Sequence, residues 1–176
     1  MKRILVIGAT SGIGRALVEE GRARGYEVIA AGRRQHLLDE IGGETLLLDA
    51  TAPDALEKIE NVHADTVIFN AGFGIHSRLL SWDFTETAIQ LNVIAFEKIA
   101  QWAFTHCKTF VATASIAGLR GLENTNGYAP SKAYMMNAME GYRRKSRHEN
   151  GQCHYVTLIP GFVDTEMGQA SNFWRC

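Results

Sequence analysis

Short apolar runs alternate along the chain with longer stretches in which apolar residues recur every three or four positions. The short runs fall at 3–7, 27–31, 44–48, 66–69, 109–113 and 154–159, and most of their positions are apolar. Near-continuous apolar runs of this length are what parallel strands covered on both faces require. Between them, 12–24, 35–41, 53–60, 84–106 and 128–150 read as helices. In the fourth, Phe84, Ala88, Leu91, Ala95, Ile99 and Trp102 make a single stripe. Pro53 suits the first turn of its helix, where an N–H has no intrahelical partner. Six strand–helix units with no repeat and no linker predict an α/β fold, one Rossmann-type doubly wound parallel sheet with helices on both faces. Right-handed crossovers and a reversal after the third strand give the order 3-2-1-4-5-6, with ligands over the carboxyl ends of the strands.

The 176 residues suit one domain, residues 1–176, with a substantial core. Eighteen Lys and Arg against nineteen Asp and Glu leave a formal charge of −1, which argues against a nucleic-acid binder held by phosphate contacts. The apolar run after Lys2 and Arg3 is too short for a signal peptide, and nowhere do about 20 apolar residues run together, so no membrane partner is expected. Cys107, Cys153 and Cys176 show no CxxC spacing and the six His show no HxxxH pair. Neither a disulfide framework nor a metal site is expected, and a reducing cytoplasm is the simplest compartment.

The first strand runs into GATSGIG, Gly8 to Gly14, and then a helix. Gly8 permits the tight turn, Gly12 lets backbone approach a pyrophosphate at the helix N-terminus, and Gly14 lets helix and strand pack closely. Thr10 and Ser11 add hydroxyls that can donate to phosphate, with Ile13 between the last two glycines. The second strand ends in AAGRR, where a carboxylate would select the ribose 2′-hydroxyl of NAD. None is present, and Arg33 and Arg34 offer guanidinium groups that pair bidentately with phosphate. NADP(H) is therefore the preferred cofactor, with NAD(H) the alternative.

The spacing Gly-x₃-Gly-x-Gly resembles the short-chain dehydrogenase/reductase family, and further motifs follow in the family's order. FNAG, 69–72, is similar to the family's NNAG; Asn92 lies in LNV, Ser115 in VATASIAG, Tyr128 and Lys132 in YAPSK, and PGFVDT spans 160–165. The resemblance implies that Asp49 holds the adenine amino group, with the Ala50 backbone beside it. It implies that Asn70, Ala71 and Gly72 lie along the cofactor ribose. Pro160, Gly161, Val163 and Thr165 would meet the nicotinamide carboxamide. It assigns Asn92, Ser115, Tyr128 and Lys132 to a catalytic tetrad. Tyr128 and Lys132, four apart, share a helical face. A nearby ammonium lowers a phenol's pKa from about 10, which lets Tyr128 act as general acid or base towards a carbonyl or alcohol. Lys132 would also bond the nicotinamide ribose, Ser115 would bond the substrate oxygen, and Asn92 would hold a helix kink and a water leading towards Lys132.

Other features read as structure. The basic run 143–148 meets the negative end of its helix macrodipole. His76 reads as a solvated loop residue. Phe73, Ile75, Ile116, Leu119, Leu122 and Met167 mark a partly apolar edge of the site. The resemblance implies NADP(H)-dependent hydride transfer between nicotinamide and a small-molecule carbonyl or secondary alcohol, in a homodimer or homotetramer paired through helices 84–106 and 128–150. Only eleven residues follow Thr165, so most of the family's substrate loop and its last strand and helix are expected to be missing. That shortness supports the rival reading, an NADP-binding sensor or regulatory protein with little turnover.

Overall fold

The structure, a computed structural model, describes residues 2–149 and 151–165. Among these residues six parallel strands form one sheet: β1 (Arg3–Ile7), β2 (Glu27–Gly32), β3 (Thr45–Leu47), β4 (Thr66–Phe69), β5 (Thr109–Thr113) and β6 (His154–Leu158). Their order is β3-β2-β1-β4-β5-β6, as the strand–helix alternation predicts. Register brings Ile7 beside Ala31 on one side and Phe69 on the other. The segments leaving β1, β2 and β4 therefore emerge side by side.

Period-two alternation sends β1 side chains to two cores. Leu5 and Ile7 join Phe69, Phe96, Phe110 and Met135 in the larger one, while Val6 joins Val18, Val28 and Leu38 in the smaller. Phe96 packs edge-on against Phe69, with ring centroids 5.7 Å apart. Full burial of such a side chain contributes about 1.5–3 kcal/mol, so these few rings fix the sheet against its helices.

The helices are α1 (Gly12–Ala23), α2 (Gln35–Ile41), α3 (Ala55–Glu60), α4 (Trp82–Ile89), α5 (Phe96–His106) and α6 (Tyr128–His148). Two expectations need correction. Pro53 lies ahead of its helix, which starts at Ala55 behind the N-cap Asp54. The chain is still turning there, with Ala52 N–H on the Asp49 carbonyl and Ala55 N–H on that of Ala52. The fourth helix starts two residues earlier than expected, because Ser81 caps it by accepting from Phe84 N–H. It also contains a π-helical segment, Gln90–Ala95, joining α4 to α5. Among the described residues, no helix is long and apolar enough to cross a membrane. Met167 and the rest of 166–176 lie outside the described residues.

Candidate active site

The carboxyl ends of the strands open into a cavity of about 1360 Å³. This exceeds the roughly 300–1,000 Å³ of a site for one small ligand and leaves room for a cofactor beside a substrate. Every residue singled out above as cofactor-binding or catalytic lines it except Gly14 and Asn92, which stand behind its wall.

The glycine turn is built by close contact. Gly8 has φ +88°, and a Cβ there would lie 2.5 Å from the Ala71 nitrogen. A Cβ on Gly14 would lie 2.0 Å from the Gly8 carbonyl oxygen, so α1 can approach β1 only with glycine at that position. Asn70 braces the turn by donating from Nδ2 to the same oxygen at 3.1 Å. At the start of α1, Ser11 makes no side-chain cap bond, and the first turn carries no acid. The helix thus presents N–H groups and positive dipole to the cavity, as an anion requires.

Adjacent arginines diverge. Arg34 is half-buried and donates from Nε and Nη2 to Thr10 Oγ1, at 3.2 and 3.0 Å, and from Nη2 to Ser11 Oγ at 2.8 Å. Both hydroxyls therefore accept from a guanidinium and keep their own O–H to donate. Arg33 is exposed on the cavity wall. Across from it, Asp49 folds back to accept from Thr51 N–H at 2.9 Å and Thr51 Oγ1 at 2.7 Å. The Thr51 hydroxyl is the main cause holding its carboxyl below the usual range, with Arg33 adding to it.

Tyr128 opens α6 and Lys132 follows one turn on. Lys132 is buried; its Nζ donates to the Thr113 carbonyl at 2.8 Å and sits 5.8 Å from the Tyr128 ring centroid. Burial lowers its pKa from 10.5 to about 8. Tyr128 differs from the sequence expectation. Burial raises its pKa, and the nearby Ser115 hydroxyl only partly opposes this. Ser115 Oγ also accepts from Ala117 N–H at 3.1 Å, which fixes the turn that follows β5.

Asn92 sits fully buried in the π segment. Its Oδ1 accepts from Phe73 N–H at 2.9 Å, while Nδ2 donates to the Phe73 carbonyl at 2.8 Å and to Ser131 Oγ at 2.9 Å. Ser131 Oγ donates to the Tyr128 carbonyl at 2.7 Å. Asn92 therefore ties the loop after β4 to the first turn of α6. Asn92 and Lys132 both border Gly72, where a Cβ would lie 3.6 Å from Asn92 Oδ1 and 3.4 Å from Lys132 Nζ.

Three participants escape sequence reasoning. Ser131 relays Asn92 to the Tyr128 backbone. Gly74 admits the Tyr128 ring, since a Cβ there would lie 2.5 Å from Tyr128 Cδ2. Thr113 anchors Lys132 with its carbonyl, and its Oγ1 is buried on the cavity wall with no partner among the described residues. Motif spacing gives a signal only for Ser131, the x before Lys in YxxxK. Among the described residues no cluster of His, Cys, Asp or Glu could hold a metal.

A family-wide sequence model of the short chain dehydrogenases matches residues 2–175. An uncharacterized oxidoreductase from Myxococcus xanthus (strain DK1622) is 36% identical, over 96% of this chain and 75% of its own length. A short-chain dehydrogenase from Sphingobium yanoikuyae, solved in complex with NADPH, superimposes with a TM-score of 0.84 at 21% identity, covering 98% of this chain and 76% of that one. A short chain dehydrogenase/reductase from Burkholderia phymatum, solved with NAD, gives 0.82 at 24% identity over 98% and 69%. With the family model matched over residues 2–175 and the Myxococcus relative 36% identical, the chain belongs to the short-chain dehydrogenases and is an oxidoreductase, and the two solved structures share its fold.

Proposed function

We propose that the chain transfers hydride reversibly between NADP(H) and a carbonyl or secondary alcohol, with Tyr128 as general acid and base. The observation that carries this reading is the buried Lys132, its Nζ 2.8 Å from the Thr113 carbonyl and 5.8 Å from the Tyr128 ring centroid, in a cavity walled by the glycine turn. The residues fit a dinucleotide. The start of α1 turns its first N–H groups and positive dipole towards the cavity, beside the Thr10 and Ser11 hydroxyls, as a pyrophosphate requires. Bound there, nicotinamide supplies or accepts the hydride at its C4.

The chain's own groups handle the proton and the orientation. Ser115 Oγ–H bonds the substrate oxygen and stabilises charge as it develops. Tyr128 O–H donates its proton to that oxygen as the carbon receives hydride, so a ketone gains two hydrogens and becomes an alcohol. In the reverse direction Tyr128 must accept the proton, and the ammonium of Lys132 supports the phenolate that direction requires. Lys132 would bond the nicotinamide ribose, and Pro160 to Thr165 would hold the carboxamide end. Asn92 acts by holding Phe73 and, through Ser131, Tyr128.

For the dinucleotide, the absence of a carboxylate at the end of β2 and the exposed Arg33 favour a 2′-phosphate. The Myxococcus relative carries the name oxidoreductase, and the Sphingobium and Burkholderia structures hold NADPH and NAD respectively, so the preference for NADP(H) rests on the residues at the end of β2. The test pairs binding with turnover. NADPH raises the melting temperature of wild type and Tyr128→Phe alike, because a ligand of the native state stabilises it. Only wild type oxidises NADPH with a carbonyl panel, and the variant loses activity by about 10²–10⁴-fold. Stabilisation without turnover would favour the sensor reading, and better stabilisation by NADH would overturn the arginine argument.

A further inference from the structure

The substrate end of the cavity has a consistent chemistry. Phe73, Ile116, Leu119, Leu122, Phe162 and Val163 line it. They come from the segments after β4, β5 and β6, the same segments that carry Ser115 and lead into Tyr128. Leu119 and Phe162 are 64% and 65% exposed, and Ile116, Leu122 and Val163 are also open to solvent. Large apolar side chains gathered around one polar focus, rather than scattered singly, mark a surface that binds apolar matter.

Among the described residues the ionisable groups at this end are the exposed Glu86, Arg120 and Glu123, of both signs, and the half-buried His76. Among the described residues the only buried charged side chain is Lys132, already donating to the Thr113 carbonyl. Among the described residues no other buried charge stands ready to pair with an ionised substrate, and an unpaired buried charge is costly.

We infer that the substrate is an uncharged ketone, or the corresponding secondary alcohol, carried on an apolar carbon skeleton. This rests on the hydride-transfer reading above. The carbonyl oxygen meets Ser115 and Tyr128, and the skeleton covers Leu119, Leu122 and Phe162. Straight-chain and fused-ring skeletons share this chemistry, and the assay separates them.

The experiment measures kcat/KM with NADPH for methyl ketones from butanone to decanone, for decalone, for levulinate and its methyl ester, and for dihydroxyacetone. Each added methylene is expected to raise kcat/KM by up to about fourfold until the apolar wall is covered. The ester is expected to outrun the acid by about tenfold or more, because only the acid buries a charge. A decalone rate above the whole open-chain series assigns a fused-ring skeleton, and one below it an open chain; either supports the inference. Replacing the exposed Leu119 and Leu122 together by serine is expected to cut the ratio of decanone to butanone by about tenfold. Leu119→Ala alone, milder for the fold, reduces that ratio in the same direction.

A flat series, or levulinate or dihydroxyacetone surpassing decanone, would overturn the substrate class and leave the hydride chemistry standing. A rising series unchanged in both variants would overturn the assignment of the apolar wall. Stabilisation by NADPH with no turnover of any compound would overturn the inference and the hydride-transfer reading together.

Discussion

Arg33 and Arg34 are identical neighbours with different surroundings. Arg34 spends its guanidinium on Thr10 and Ser11, within the turn. Arg33 stays exposed beside Asp49 on the cavity wall. Arg33→Ala should therefore lower the ratio of kcat/KM for NADPH to that for NADH by about 10–100-fold, the worth of a charge-assisted contact to phosphate. Its melting temperature should stay close to wild type. Arg34→Ala should weaken both dinucleotides, because the turn itself loosens; parallel titrations with the two cofactors distinguish the cases. The sequence identified Arg33 through a missing carboxylate and Tyr128 through YxxxK. It could not identify Gly74, whose role depends on a ring that arrives 54 residues later in the chain.

Strand and helix positions were largely legible because each rests on local periodicity: the limits of β1, β4, β5 and α2 agree with the pattern residue for residue. The π segment was not legible. A stripe recurring every three or four residues continues through Gln90–Ala95 without announcing that the backbone widens there. What marks the place is Asn92, a polar side chain fully buried and triply bonded. Asn92→Ala would leave the Phe73 N–H and C=O without their partner and take from the Ser131 hydroxyl the donor it accepts from, while Ser131 keeps its bond to the Tyr128 carbonyl. It should lower unfolding free energy in urea by about 2–4 kcal/mol, from one to three per orphaned group with partial rescue by water. It should also lower kcat, since Ser131 and the first turn of α6 lose a tether. Asn92→Asp, which keeps only the acceptor, should fall between. The position of Pro53 failed for a related reason: its preference for a first turn is local, whereas the bonds from Ala52 to Asp49 and Ala55 to Ala52 decide where the helix starts.

Across the whole molecule, the outer surfaces of α5 and α6 meet at Glu97, which accepts from Tyr134 and Tyr142. These helices are the ones the family resemblance assigns to subunit pairing. Light scattering on the purified chain should therefore give a mass of two or four subunits, and Tyr134→Asp should shift it towards one. The cores on the two sides of the sheet were predictable from apolar runs alone. The π segment and the diverging arginines were not, because both depend on contacts between segments distant in sequence.

Lys132 has a consequence for the fold as well as for the reaction. A lysine whose pKa falls from 10.5 to about 8 on folding binds its proton less tightly in the native chain than in the unfolded one. Below about 8 the charge is present in both states and the full burial cost is carried. Between about 8 and 10.5 the native chain sheds the proton first, so this residue's contribution makes stability rise with pH. The difference is on the order of 3 kcal/mol. Lys132→Met should raise the melting temperature of the cofactor-free chain at neutral pH and remove that alkaline gain, while abolishing turnover. The buried lysine is thus a local instability built into the fold, present at neutral pH and relieved as the medium turns alkaline.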